Sequence, residues 1–277
     1  MEVFRDYAVN KALEYSYLMD ILLAFISLHS ASEAAGAIDA YEHVTAALHY
    51  QNQSIAELNR DQSLAKISPE TYEPVVLVTG LNAICTLLAS MVPETSGEQL
   101  DSMSEVMLRV RSCVLGVNEV IEQSHSWAEN SELARIGMSP TVRKIEDGGL
   151  ITADKVRALS DAVLASMDLD GTATPFLRST LQKLEKAYAD NNGRSVDGWL
   201  VMVEAKFFHK VGLGETAAMV ILACWGALTS ALEEVWWTKY AGRRIVEDLS
   251  VQLNGCDSRW NEVLQWCYEQ VGILGHV

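Results

Sequence analysis

The chain is poor in proline, in basic residues and in any cysteine pairing, and each shortage removes a class of answer. Five prolines in 277 residues leave long stretches without a backbone breaker, so little of the chain is forced out of regular structure. The five cysteines, Cys85, Cys113, Cys224, Cys256 and Cys267, are odd in number and widely spaced, and no two form a CxxC pair. A disulfide framework and a zinc cluster are therefore both disfavoured, and buried thiols in a reducing compartment are the simple account. The 21 bases stand against 37 acids, a formal charge of −16, with no dense run of Lys or Arg. Such a surface repels phosphate, which argues against direct binding of nucleic acid or of an anionic membrane. Met1–Asn10 carries Glu2, Arg5 and Asp6 and no apolar core after a basic start, so it is not a signal peptide. The expected location is intracellular, cytoplasmic or nuclear.

What the chain does have is apolar residues at helical spacing almost throughout, while alternating runs of Val, Ile and Thr are nearly absent. The expectation is an all-α fold, a single domain over residues 1–277 with about ten helices bundled around an apolar pocket. The helices are expected at Tyr7–Glu33, Gly36–Asp61, Pro69–Val92, Gly97–Trp127, Thr152–Met167, Pro175–Ala189, Asp197–Val211, Glu215–Trp237, Gly242–Leu253 and Ser258–Val271. Ser68-Pro69-Glu70 supplies a cap and a first-turn proline. The glycine-bracketed Gly137–Gly149 has little periodicity and is the expected mobile loop. Val75–Val92 and Ala217–Leu232 are free of charge for lengths at or below that needed to span a bilayer, and read as buried core helices rather than membrane spans.

Three segments carry a resemblance. The end of the chain, Ala217–Leu264, runs from a long apolar helix into Trp236-Trp237, a Gly242-Arg243-Arg244 turn and a second amphipathic helix with Trp260, followed by Trp266. Tyr17–Ala31 (YLMDILLAFISLHSA) and Tyr41–Leu58 (YEHVTAALHYQNQSIAEL) provide an opening pair of helices. In this order the segments resemble the C-terminal effector domain of fungal binuclear zinc-cluster transcription factors, nearest to the sterol-uptake regulators. Residues 97–192 have no counterpart in the likeness. The resemblance implies a helical bundle whose apolar pocket binds a hydrophobic ligand and thereby controls a transcription factor. Asp20 stands where the family pattern commonly has histidine, and Cys267 where a proline is usual. No zinc-cluster module precedes the first effector helix, so the polypeptide is expected not to read DNA itself.

Individual side chains give candidate sites. At 100° per residue, Asp20 shares a face with Ser16, Ala24 and Ser27, while His29 lies on the opposite side. Asp20 is either a satisfied polar group at the wet edge of its helix or, facing a cavity, a candidate general acid. On the expected helix Glu215–Trp237, Trp225, Leu232 and Trp236 form a stripe with Glu233 on its flank, readable as core or as the wall of a ligand site. Arg243 and Arg244 are expected to pair with Glu247 or Asp248. His43 and His49 are six positions apart, which is not metal-chelating spacing, and no other pattern asks for a metal or cofactor. Three functions follow. One is a sensor of a sterol, terpenoid or polyketide, working with a second copy or a complete transcription factor as partner. The second is a metal-independent cyclase, isomerase or pericyclase using the same pocket. The third is a scaffold or dominant-negative partner of a complete transcription factor.

Overall fold

The computed structural model describes residues 2–61, 67–91, 101–128, 130–135, 153–189, 193–231 and 236–273, and the statements below concern those residues. They are helical nearly throughout, without a strand among them, so the all-α expectation holds. The chain forms two compact units, Met1–Asp101 with Arg109–Val142, and Ser102–Leu108 with Arg143–Val277.

In the first unit, α1 (Glu2–Ala12), α2 (Ser16–Glu33), α3 (Ala37–Arg60) and α4 (Tyr72–Ala89) pack on one another, with α2 lying along α3 as an antiparallel hairpin. The expected first helix is broken at Leu13–Tyr15, where Tyr15 turns extended (φ −128°, ψ 107°) and restarts the chain as α2. The hairpin is pinned by Ser54 Oγ, which donates to the Tyr17 carbonyl at 2.6 Å. α4 carries no charge from Pro74 to Ala89 and is buried or half-buried at every position. It is long and apolar enough to cross a membrane, yet α2 and α3 already cover it as a core helix of this unit. Its polar residues face partners. Gln51 Nε2 on α3 donates to Asn82 Oδ1 at 2.8 Å and to Thr86 Oγ1 at 3.1 Å, and Asn82 Nδ2 reaches Cys113 Sγ at 3.9 Å. Cys113 belongs to α5 (Met103–Gln123), whose first residues lie in the second unit. The short α6 (His125–Ala128) follows.

The second unit continues through α7 (Ala153–Asp170), α8 (Pro175–Ala189), α9 (Gly193–Met202), α10 (Ala205–Gly212), α11 (Thr216–Ser230), α12 (Trp236–Gln252) and α13 (Asn261–Val271). Its axis is α11. Every residue from Ala217 to Ser230 is buried, and α7, α8, α9, α10, α12 and α13 all touch it. This explains a sequence apolar on all sides, since no face meets water. α10 meets α11 at 112° through Gly214, whose φ of +75° is open to glycine at little cost.

Three expectations about the C-terminal third are corrected. The helix expected to run to Trp237 ends at Ser230, and Trp236 opens α12. Gly242 begins no helix and makes no turn; it lies inside α12, where α12 crosses α11. A Cβ on Gly242 would stand 2.6 Å from the Ser230 backbone nitrogen, and one on Gly226 would stand 2.9 Å from Ile245 Cγ2. Gly226 and Ser230, four apart on α11, together with Gly242 make the notch that lets the two backbones meet. The helix expected over Asp197–Val211 is likewise two, because Glu204 is extended (φ −74°, ψ 145°) and starts α10 afresh.

Candidate functional site

The sequence pointed to Asp20 with Ser16, Ala24 and Ser27, and to Trp225, Leu232, Glu233 and Trp236. The structure puts the first four on α2 in the first unit and Trp225 and Trp236 in the second. Leu232 and Glu233 lie outside the described residues, as does the Gly137–Gly149 segment expected to be a mobile loop.

On α2, Ala24 is fully buried, Ser16 is exposed, and Asp20 and Ser27 are half-buried. Ser16 Oγ donates to Glu57 Oε1 across the hairpin at 2.6 Å, and Ser27 Oγ turns back to the Leu23 carbonyl at 2.8 Å. Asp20 is thus on the seam between α2 and α3. Its pKa is raised, by partial burial first and by the Glu57 carboxylate second, with His49 acting the opposite way. A carboxylate flanked by another carboxylate and an exposed imidazole at a wet seam is the bland form of the Asp20 reading. It holds its proton somewhat longer than a free aspartate, but its charged neighbours belong to a surface and not to an apolar chamber. His29, on the far side, lies 3.9 Å from Glu33 with its ring 40% exposed.

Trp225 is 1% exposed and sits in an aromatic cluster. Its ring stacks on Trp199 at 5.7 Å and 25°. Trp199 in turn meets Phe207 and Phe208 edge-on at 5.5 and 6.4 Å, and its indole Nε1 donates to the Thr180 carbonyl at 3.2 Å. Four helices, α8 to α11, are joined there. Trp236 is half-buried at the head of α12 and shares no helix with Trp225, so the wall drawn from a continuous helix does not exist in that form. Arg243 and Arg244 do pair with the acids one turn on: Arg243 Nε lies 2.7 Å from Glu247, and Arg244 lies 3.2 Å from Glu247 and 3.8 Å from Asp248. Cys267, on α13, has its sulfur 3.8 Å from that of Cys224, and burial pushes its thiol well above the usual cysteine range.

A feature that the sequence did not announce surrounds Glu73. Its Oε1 accepts the backbone N–H groups of Glu132 at 2.6 Å and Leu133 at 3.3 Å, while Oε2 accepts the Tyr7 hydroxyl and lies 3.8 Å from Lys11 Nζ. Burial and this carboxylate hold the Tyr7 hydroxyl far above the usual tyrosine range. One 13%-exposed side chain therefore fastens α1 and the segment after α6 to α4. Beside it an open cleft of about 460 Å³ is lined by Pro69, Tyr72, Trp127, Ser131 and Arg135 among others. The described partners of Glu73 tie separate elements together, which makes it an anchor of this unit. The only sequence signal was a glutamate one residue before a proline in a first turn. Among the described residues no group of three His, Cys, Asp or Glu could hold a metal ion.

Comparison with protein-family models, curated proteins and solved structures finds no match to this chain.

Proposed function

We propose that the chain is an intracellular helical module that binds a hydrophobic small molecule of the sterol, terpenoid or polyketide class through its first unit and reports it to a protein partner, without itself binding DNA. One observation carries the reading: between Met19 and Ile26, α2 keeps several apolar side chains outside its buried stripe. Its buried stripe is Leu18, Ile21, Ala24, Leu28 and Ala31, yet on other faces Met19, Leu22, Leu23 and Phe25 are half-buried and Ile26 is 57% exposed. A surface helix of a finished bundle normally carries polar residues there, and apolar surface left wet in a cluster marks something to be covered. α2 is also the helix on which the likeness to fungal effector domains begins, which gives the ligand class. Ligand control follows if the molecule binds one arrangement of the α1–α4 unit better than another.

The reading favours sensing over conversion because Asp20, the one candidate acid, keeps the company of Glu57 and His49. The test is thermal denaturation of the intact chain against ergosterol, a farnesyl-derived terpenoid and an aromatic polyketide, with the mixtures analysed by mass spectrometry. Stabilisation by at least one compound class, unchanged in Asp20→Asn and lost in Ile26→Asp/Leu22→Asp, without change of mass, is the expected result. A product that forms with the wild type and not with Asp20→Asn would replace the sensor by an enzyme. No stabilisation by any class would remove the ligand.

A further inference from the structure

α3 has two faces, and only one of them is used. The residues that bury against α2 and α4 are Ala40, Val44, Ala47, Gln51, Ser54 and Leu58. A second series, Ile38, Tyr41, Thr45, Leu48, Asn52 and Ile55, repeats at spacings of three and four residues, the heptad pattern of a helix-pairing seam. These side chains are wet: Ile38 is 72% exposed, Tyr41 44% and Leu48 42%, Thr45 and Asn52 are exposed, and Ile55 is half-buried. The stretch His43–Ala56 contains no Asp, Glu, Lys or Arg, in a chain where charged residues make up 21%. A solvent-facing helix without charge over four turns has the composition of an interface core, where charged groups are depleted.

The series is also its own complement. Laid antiparallel on a copy of itself, with the axis between Thr45 and Leu48, it forms layers of the a-against-d kind. Ile38 meets Ile55 of the second copy, Tyr41 meets Asn52, and Thr45 meets Leu48, each occurring twice. Tyr41 and Asn52 can hydrogen-bond to each other. A lone Asn at such a position fixes register at some cost in strength. At the rim, Glu42 comes opposite His49 of the copy, an acid against an imidazole on both sides of the axis, although the chain as a whole is strongly acidic.

We propose that this exposed seam of α3 docks antiparallel on the same seam of a second copy of the chain. The contact runs about 25 Å along the helix at 1.5 Å per residue. That places it with the smaller interfaces, below about 1,200 Å², so the dimer is reversible and in the micromolar range. It stands independently of the ligand reading, since α3 presents this seam on a different helix from the wet face of α2.

The experiment is sedimentation velocity of the intact chain from about 1 to 200 µM, with Leu48→Glu and, as a milder change at the most exposed position, Ile38→Lys. Circular dichroism establishes that both variants keep their helix content. Wild type is expected to shift from one to two copies with concentration, and each variant to weaken that shift at least tenfold. Orientation is read by mixing an Ile38→Cys variant with an Ile55→Cys variant under mild oxidation, where the mixture should cross-link beyond either variant alone. A chain monomeric throughout the range, a dimer indifferent to both substitutions, or cross-linking as efficient in the single variants would each overturn the proposal.

Discussion

Replacing Gly242 by alanine puts a single methyl group between two helices that already touch. Its Cβ would come 2.6 Å from the Ser230 nitrogen and 2.8 Å from the Ser230 Cβ, and hard against the Gly226 carbonyl, where carbon contacts prefer about 3.5–4.0 Å. Backbone cannot rotate aside, so α12 has to withdraw from α11 by about 1 Å. Overpacking of this kind costs up to about 3 kcal/mol, and thinning the Gly226–Ile245 contact adds ~1 kcal/mol in lost dispersion. Alanine returns about 1 kcal/mol through its better helix propensity. The net loss is about 3 kcal/mol, a fall of about 10 °C in the melting temperature for a unit of this size. Six of the seven tryptophans, all but Trp127, belong to the second unit, so tryptophan fluorescence during urea unfolding reports on the unit that is strained. Gly116→Ala is the control, because Gly116 lies inside α5 with nothing within 4 Å of its added Cβ; it should gain up to about 1 kcal/mol. A Gly242→Ala protein within about 0.5 kcal/mol of wild type, a spread ordinary for surface changes, would show that the crossing is not tight and refute the argument.

Three further outcomes follow from the same reasoning. Trp199→Ala should cost about 3–5 kcal/mol in urea unfolding, since it removes a fully buried ring stacked on Trp225 and frees the Thr180 carbonyl; a loss below 1 kcal/mol would mean the cluster repacks. Glu73→Ala should cost about 2–3 kcal/mol by leaving the Tyr7 hydroxyl and two backbone N–H groups without their acceptor, and hydrogen exchange should quicken at residues 132 and 133 first. Asp20 binds its proton more tightly in the folded chain than in the unfolded one, so its contribution to stability falls as pH rises past about 4. Asp20→Asn should therefore match wild type below that pH and melt no lower, and if anything higher, at pH 7; a lower melting temperature at pH 7 alone would reverse the sign and imply a cationic partner for the carboxylate.

Class and most element positions were legible because apolar spacing is a direct record of which side of a helix is covered. α8 begins where the sequence says it should, at Pro175, with Thr174 Oγ1 accepting the Leu177 N–H at 3.3 Å. What escaped were breaks without punctuation. Neither Leu13–Tyr15 nor Val203–Glu204 holds a proline or glycine, and the chain bends there because its neighbours need the next helix elsewhere. The glycine that did look like punctuation, Gly242, serves close approach, which a sequence shows only when its partner on α11 is known. The continuous stripe from Trp225 to Trp236 gave way for a related reason. Helical spacing relates residues within one helix, and the link drawn from Trp225 to Trp236 assumed a helix that stops at Ser230. Asp20 could be assigned to a face, but Glu57, the carboxylate that adds to the effect of burial on it, is 37 positions away on α3.

The complete enclosure of α11 bears on how the chain is made. Ala217–Ser230 leaves the ribosome before α12 and α13 exist to cover it, at a time when an isolated apolar segment of this kind is free to aggregate. Synthesis proceeds at about 5–20 residues per second, so the roughly forty residues to the end of α13 leave it uncovered for several seconds, apart from transit through the exit tunnel. Helix α11 is thus a segment of the nascent chain open to aggregation until it is covered, and variants that slow the docking of α12, Gly242→Ala foremost, should lower the yield of soluble protein by more than their equilibrium stability alone would account for.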